Sequence, residues 1–326
     1  MTQFYDARGN IYGVISPEAL RKAGIDLPIS AAQCALSRPV WSPAAIALCC
    51  DWPEGQRPAG SKSHRSDGLL IGPFQSAPPF DVLIVNTDGT LAERSGNGLT
   101  IFAQSLLEQG LMPAQGTLLR VHHDKGDAVE TSVKPAEVEA VKGFWLDLGQ
   151  PGFGPSAVSA QQVEKRVFNG KDVSHVGPLA QLNPAWQHSQ FVRIGNPHCV
   201  TLLTDVADLP SNSQMRESPL AEDLTRIAYA MPAGAGQPCP AGVNLQWAAR
   251  QSAQRIVARV FERGEGPTAS SGTSASAVAC AAWAVGWVAS GEVQVVMPGG
   301  TAPVLLEEER GALVRVRLFG TARLMG

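Results

Sequence analysis

The chain alternates between short apolar runs and Gly/Pro punctuation. Seven runs stand out: "DVLIVN" (81–86), "TLLRVHH" (117–123), "GFWLDL" (143–148), "QFVRIG" (190–195), "NLQWAA" (244–249), "RIVARVF" (255–261) and "GEVQVVM" (291–297). Each is rich in Val, Ile, Leu or aromatic residues, the composition of a strand. The last segment, "ALVRVRLFGTARLMG" (312–326), alternates apolar and basic positions as a half-buried strand does. Helical periodicity predicts fewer elements: 17–24, 97–109, 219–230 and 273–288. The class is therefore α+β, with more strand than helix.

Two stretches echo one another. At an offset of 176 residues Ser95 falls on Ser271, Gly96 on Gly272, Ala103 on Ala279 and Gly110 on Gly286. Nine residues before each serine, Asn86 falls on Glu262. At an offset of 186, "RGNIYGV" (8–14) falls on "IGNPHCV" (194–200), matching Gly9, Asn10 and Val14 with Gly195, Asn196 and Val200. The order is the same in both halves: a G-N turn, strands, a polar residue, an S-G turn and a helix. Duplication explains this better than chance matching of small residues. It predicts two similar lobes, residues 1–137, completed by the strand at 313–326, and residues 138–312. A ligand is expected in the cleft between them.

In "RSGNGLT" and "SSGTSAS" a serine precedes a glycine that turns the chain into a helix. The first N–H groups of each helix lack intrahelical partners and lie at the positive end of its dipole. One carboxylate held by two such helix starts, with a serine on either side, is the arrangement this pattern suggests. Ser95 and Ser271 as plain N-caps, each contributing about 1 kcal/mol, is the simpler alternative.

Composition narrows the partners. The chain has 326 residues, 44% hydrophobic, and a net charge of −3 without a basic cluster. Nucleic acid and anionic membrane are not expected as partners. The longest apolar run, Ala275 to Ser290, is too short to cross a bilayer and reads as a buried helix. The N-terminus "MTQFYDARGN" has no charged-then-apolar leader pattern, so a soluble, cytoplasmic protein is expected. The six cysteines, Cys34, Cys49, Cys50, Cys199, Cys239 and Cys280, form no C-x-x-C pair and read as buried thiols.

The blocks "NTDGTLAERSGNG", "IGNPHCV", "PAGVN" and "ERGEGPTASSGTSAS", in that order, resemble the signature blocks of diaminopimelate epimerase. "ARGNIYGVI", "SDGLLIG" and "VVMPGG" fit the same family, so the resemblance spans nearly the whole chain. It implies two pseudo-symmetric lobes, each a barrel-like sheet wrapped around a central helix. It implies inversion of an amino-acid α-carbon with no cofactor, neither pyridoxal phosphate nor metal. One base removes the α-proton and an acid on the other face returns one. Carried over by motif, Asn10, Asn86, Asn196 and Asn244 would bind the substrate's polar groups, and Arg263 would pair with a carboxylate. Backbone N–H groups around Gly96-Asn97 and Gly272-Thr273 would hold the α-carboxylate. His198 and Glu262 would sit beside the reacting centre.

The chain departs from the family's pattern where the chemistry is carried. The family has a cysteine at each catalytic position; this chain has Ser95 and Ser271. A thiol titrates near pH 8.5, while an alkyl hydroxyl ionises several units higher, each unit being about 1.4 kcal/mol. Three outcomes follow. A stronger base, His198 or Glu262, activates or replaces a serine. Or the reaction is a related isomerisation or dehydration of a different carboxylate. Or the chain binds an amino acid without chemistry. The substrate class is in each case a small amino acid or carboxylate, with LL- to meso-diaminopimelate in lysine biosynthesis the default. A homodimer is compatible with all three. Further departures are "SHRSDG" (63–68) in place of a Gly-rich loop, with His64 and Arg65 read as surface residues. Thr100 replaces an arginine, and the chain is longer and rich in Pro and Ser around 36–66. His198 alternatively serves only a backbone carbonyl, Glu262-Arg263 alternatively form an ion pair, and His122-His123 carry no role.

Overall fold

A computed structural model describes residues 1–326. It divides into two compact units: Met1–Leu146 with Gly320–Gly326, and Asp147–Phe319.

The first unit begins with β1 (Gln3–Ala7) and β2 (Asn10–Ile15), which form an antiparallel hairpin around Arg8 and Gly9, both at positive φ. Three helices follow: α1 (Pro17–Lys22), α2 (Ala31–Leu36) and α3 (Arg38–Cys50). Then come β3 (Gly68–Ile71), β4 (Phe80–Asn86), α4 (Gly96–Glu108), β5 (Thr117–Val121), β6 (Val129–Val138) and β7 (Val141–Gly149). β2 and β3 are parallel, β3 and β4 antiparallel, β4 and β5 parallel, and β5, β6 and β7 antiparallel in turn.

The second unit contains β8 (Gly152–Phe153), the hairpin β9 (Glu164–Phe168) and β10 (Lys171–His175), and α5 (Gly177–Leu182). It continues with β11 (Ser189–Ile194), β12 (Asn196–Leu203), α6 (Leu220–Ala228), β13 (Asn244–Ser252), β14 (Arg255–Glu262) and β15 (Gly266–Thr268). After α7 (Gly272–Ala284) come β16 (Gly291–Met297), β17 (Gly300–Glu309) and β18 (Ala312–Gly320). From β11 the pairing runs antiparallel, parallel, antiparallel, parallel, antiparallel, antiparallel, the sequence found from β1 to β7. The duplication legible in the sequence is thus a duplication of topology, with α4 and α7 in the same place.

Burial on both faces explains why the strands read as continuous apolar runs rather than alternating ones. Leu70, Val82 and Ile84 point to α4 and pack with Leu99 and Phe102. Their neighbours Leu69, Ile71, Leu83 and Val85 point the other way and pack with Trp41, Ala45 and Cys49. In the second unit Val200, Ala248 and Val260 pack on α7 through Ala275, Val278 and Ala282. Cys199, Trp247 and Phe261 face Leu224 and Ile227 of α6 on the opposite side. α7 is buried all round from Ser274 to Ala282, and its small side chains let the strands surround it closely.

The Pro- and Ser-rich stretch is the main difference from the expected elements. Residues 31–50 form α2 and α3, two helices that the apolar periodicity did not predict. Ser30 caps α2, and Pro39 sits in the first turn of α3, where a missing N–H costs nothing. Pro43 lies inside α3 and removes one of its bonds, but the helix is held by burial of Trp41, Ile46 and both terminal cysteines. Ser42 Oγ donates to the carbonyl of Gly89 at 2.8 Å, tying α3 to the turn after Asn86. The unit boundary falls inside β7 rather than at 137. β18 stays with the second unit because it pairs along its length with β17, and only Gly320–Gly326 return, where Arg323–Leu324 (β19) pair with β1. No helix is long and apolar enough to cross a membrane.

All six cysteines are free and buried. Burial pushes the thiols of Cys34, Cys50 and Cys239 up to about 11 and raises those of Cys49, Cys199 and Cys280 as well. Thiolate is the reactive form. A disulfide-exchange dye such as 5,5′-dithiobis(2-nitrobenzoate) is therefore expected to find no fast-reacting thiol in the native protein at pH 8, and all six after denaturation. A thiol titrated within the first minute in the folded state would contradict this burial.

Candidate active site

Ser271 has extended backbone angles (φ −152°, ψ 123°) at the head of α7, and its Oγ accepts the N–H of Ser274 at 3.4 Å. Its carbonyl accepts the N–H of Ala275 at 2.9 Å. The N–H groups of Gly272 and Thr273 remain free for an external acceptor at the positive end of the helix. A Cβ on Gly272 would meet the end of the Leu318 side chain, which would have to turn aside.

Glu262 is the last residue of β14, and the hydroxyls of Ser271 and Thr268 lie near its carboxyl. Burial pushes its carboxyl above the ordinary value; the nearby Ser271 hydroxyl holds it back, the charge of Glu265 adds to the rise, and the Thr268 hydroxyl opposes it. Arg263 forms no ion pair with Glu262. Its backbone N–H donates to Asn244 Oδ1 at 2.9 Å and its guanidinium donates to the carbonyl of Ala241. Gly242 makes room for it, as a Cβ there would meet Arg263 Cδ at 2.6 Å.

His198 lies in β12 directly opposite Asn244 in the parallel register, with none of its surface exposed. Its Nδ1 is 3.0 Å from Gln246 Nε2, and the same amide donates to Ser274 Oγ at 3.0 Å. Burial, reinforced by the charge of Arg263 and opposed by the Ile194 carbonyl, pushes the imidazole down to about 3. The ring is therefore neutral and weakly basic at physiological pH. This differs from the expectation of a proton carrier: full desolvation of the cation outweighs the near-neutral titration of a free imidazole. Asn196 opens β12 and is exposed, whereas Asn244 is buried.

The first unit repeats the turn. Ser95 has φ −145° and ψ 118°, and its Oγ accepts the N–H of Gly98 at 3.0 Å. Its carbonyl accepts the N–H of Leu99 at 2.9 Å, leaving the N–H groups of Gly96 and Asn97. Thr100 donates to the carbonyl of Gly96 at 2.8 Å, as Ser276 donates to that of Gly272 at 2.9 Å. Asn86 ends β4 where Glu262 ends β14, and its amide is bonded to Thr90 Oγ1 at 2.9 Å. Asn10 Nδ2 donates to Asp67 Oδ2 at 3.3 Å, and the same oxygen accepts the N–H of Ile11 at 2.8 Å. Tyr12 Oη is 3.4 Å from Ser95 Oγ.

Comparison with known proteins decides the family. The diaminopimelate epimerase profile matches residues 190–324. Diaminopimelate epimerase from Pseudomonas syringae pv. tomato is 30% identical over 236 residues, which cover 72% of this chain and 74% of that protein. The chain belongs to the diaminopimelate epimerase family. Diaminopimelate epimerase 2 from Nostoc sp. is 28% identical over 311 residues, covering 94% of this chain and 88% of that protein. Membership of this family makes the chain an isomerase of the epimerase and racemase class. Among solved structures, a Bacillus anthracis phenazine biosynthesis protein of the PhzF family superposes with a TM-score of 0.58 at 11% identity, covering 100% of this chain and 96% of that one. Methylitaconate-delta-isomerase gives a TM-score of 0.56 at 14% identity, with 100% and 93% covered. At these identities the two structures share the fold.

Within this member of the diaminopimelate epimerase family, the expected site residues fall into two constellations. Asn10, Asn86, Ser95, Gly96 and Asn97 belong to the first unit; Asn196, His198, Asn244, Glu262, Arg263, Ser271, Gly272 and Thr273 belong to the second. His64 lies 3.4 Å from Asp51, and Arg65 stacks on the Phe4 ring at 4.1 Å. Sequence reasoning missed Tyr12, Gln246 and Ser274. Tyr12 was within reach, because the 186-residue echo that matches Asn10 with Asn196 also sets Tyr12 on His198. Gln246 had no such signal, since only the register of β13 against β12 brings it to His198.

Proposed function

We propose that the chain moves a proton at the α-carbon of an amino acid, without a cofactor, and that LL-diaminopimelate, converted to the meso form in lysine biosynthesis, is the default substrate. The observation that carries this is the placement of the Glu262 carboxyl, its affinity for a proton raised by burial, near the Ser271 hydroxyl at the head of α7. A serine alone is a poor base. Beside a carboxylate whose affinity for a proton is raised by burial, it becomes a relay. Ser271 takes the α-proton as Glu262 takes the hydroxyl proton of Ser271, so the proton ends on a carboxylate and not on an alcohol.

Ser271 is the proton carrier of the second unit, and Ser95 is its counterpart in the first. The charge that builds on the substrate's carboxylate is opposed by the N–H groups of Gly272 and Thr273 at the start of α7, and Gly96 and Asn97 offer the equivalent pair at the start of α4. Arg263, with guanidinium donors beyond the one on Ala241, takes a second carboxylate. His198, neutral and buried, holds Gln246 and through it Ser274, so its role is to position the start of α7. Asn10, Asn86, Asn196 and Asn244 complete the substrate contacts that the family resemblance implies.

A second reading draws on an asymmetry. The carboxyl of Glu262 has a carboxamide, Asn86, as its counterpart in the first unit. One strong base suffices for a double-bond isomerisation or loss of water from a different carboxylate. Incubation with LL- and meso-diaminopimelate in deuterated water, followed by proton NMR, separates the readings. Loss of the α-proton signal with interconversion of the isomers is expected. A new alkene signal from another carboxylate supports the second reading. Binding by calorimetry without exchange would leave a binding protein only.

A further inference from the structure

If two-face proton transfer is the reaction, the first unit must supply a proton on the Ser95 side. Its turn lacks the means found in the second unit: where Glu262 meets Ser271, the first unit has Asn86, whose amide neither takes nor gives a proton. The titratable side chain bonded to Ser95 comes instead from β2. Tyr12 Oη lies 3.4 Å from Ser95 Oγ, and Tyr12 is buried in the core around α4.

We infer that Tyr12 is a positioning residue that also carries the proton for Ser95, so that the first unit's serine works as a phenol-backed donor. This rests on the reading under Proposed function.

Three further observations support the assignment. Tyr12 occupies in the first unit the position of His198 in the second, two residues after the strand-opening asparagine. The same strand position thus presents a phenol to one serine turn and an imidazole to the network behind the other. The ring is seated deliberately: Tyr12 faces Gly68 in the parallel register, and a Cβ at Gly68 would come within 2.7 Å of the ring. The hydroxyl geometry is also suitable. Ser95 Oγ already accepts the N–H of Gly98, so its remaining capacity is open to the phenol and to its own hydrogen.

The step balances without a co-reactant. As the α-carbanion takes the hydroxyl proton of Ser95, Ser95 Oγ takes the phenol proton of Tyr12. A C–H bond forms, the Tyr12 O–H bond breaks, the Ser95 O–H is broken and remade, and the negative charge ends on Tyr12 Oη. A phenol titrates at about 10, several units below an alkyl hydroxyl, so the charge rests on the better acceptor. Titratable groups on and beside the elements packed against β2 have partners of their own. On β1, Tyr5 donates to Glu108 of α4 and Asp6 is paired with Arg323. β3 has no titratable residue, and Asp67 just before it is bonded to Lys62, Asn10 and the N–H of Ile11.

The test compares Y12F, S95C and Y12F/S95C. In the serine background Y12F is expected to lower α-proton exchange by about 10- to 100-fold and to abolish the loss of activity at high pH that titration of the phenol produces. In the S95C background Y12F is expected to change the rate by less than about twofold, because a thiol carries its own proton at accessible pH. A purely structural role would cost the same in both backgrounds. A second measurement needs no turnover. The chain has three tyrosines, so Y5F/Y229F isolates Tyr12 for near-ultraviolet titration, and adding S95A is expected to move its midpoint. A Y12F protein with the wild-type rate and pH profile, an equal Y12F loss in both backgrounds, or a phenol midpoint indifferent to S95A overturns the relay alone. Absence of exchange by the wild-type protein overturns the isomerase reading of the site and the relay together.

Discussion

Replacing Glu262 by glutamine is expected to lower α-proton exchange by about 10²–10⁴-fold, the range for loss of a positioned base, while making the folded protein more stable at neutral pH. The two effects have one cause. Burial raises the Glu262 carboxyl above its ordinary value of 4.5, so the folded protein favours the protonated form more than the unfolded chain does. The stability this contributes is fully present below pH 4.5 and is lost as pH rises through the folded value. At pH 7 to 8 the ionised carboxylate is a liability to the fold that glutamine removes while keeping nearly the same shape. The activity has the opposite dependence. The base must be ionised, so exchange falls as pH drops through a value above that of a free carboxyl. Calorimetric Tm values of both proteins at pH 4 and pH 8, with exchange rates across the same range, check both halves. A glutamine variant that exchanges at the wild-type rate would remove Glu262 from the chemistry.

The double variant S95C/S271C is expected to raise exchange on diaminopimelate by about a hundredfold, within the range for a better-matched acid and base. A thiol beside a helix start becomes a thiolate far more readily than an alcohol becomes an alkoxide. Each exchange of oxygen for sulfur weakens a cap hydrogen bond, to Gly98 or to Ser274, at a cost of about 1 kcal/mol or less. The six native thiols are buried, so the two new ones are countable: the dye that finds no fast thiol in the parent should find two here. The gain should come more from S95C than from S271C, because in the proposed relay Ser271 already has a carboxylate beside it to take its proton. A folded variant with two titratable new thiols and no rise in exchange would count against diaminopimelate as the substrate.

The repeat, the two serine turns and the strands were legible from the chain because each depends on local chemistry. A serine before a glycine caps a helix wherever it occurs, and Ser95 and Ser271 have nearly identical backbone angles. The long apolar runs announced strands because the strands around α4 and α7 are covered on both sides. The cover itself was not legible. Pro39 and Pro43 suggest interruption, yet α3 forms because Trp41, Ile46 and Cys49 find Leu83 and Val85, residues about forty positions away. Burial decided the site in the same manner. His198 is by composition a group that titrates near neutrality, and only its place inside β12, sealed from water, takes that property away. Glu262 is by composition a surface acid, and burial raises its affinity for a proton. Tyr12 is by composition a core aromatic, and only the pairing of β2 with β3 across Gly68 brings its hydroxyl to Ser95. The sequence by itself determined which turns are made and how often. Tertiary structure decided which side chains lose their water and which distant partner each then meets, because desolvation and long-range register belong to the packed chain and not to any short segment of it.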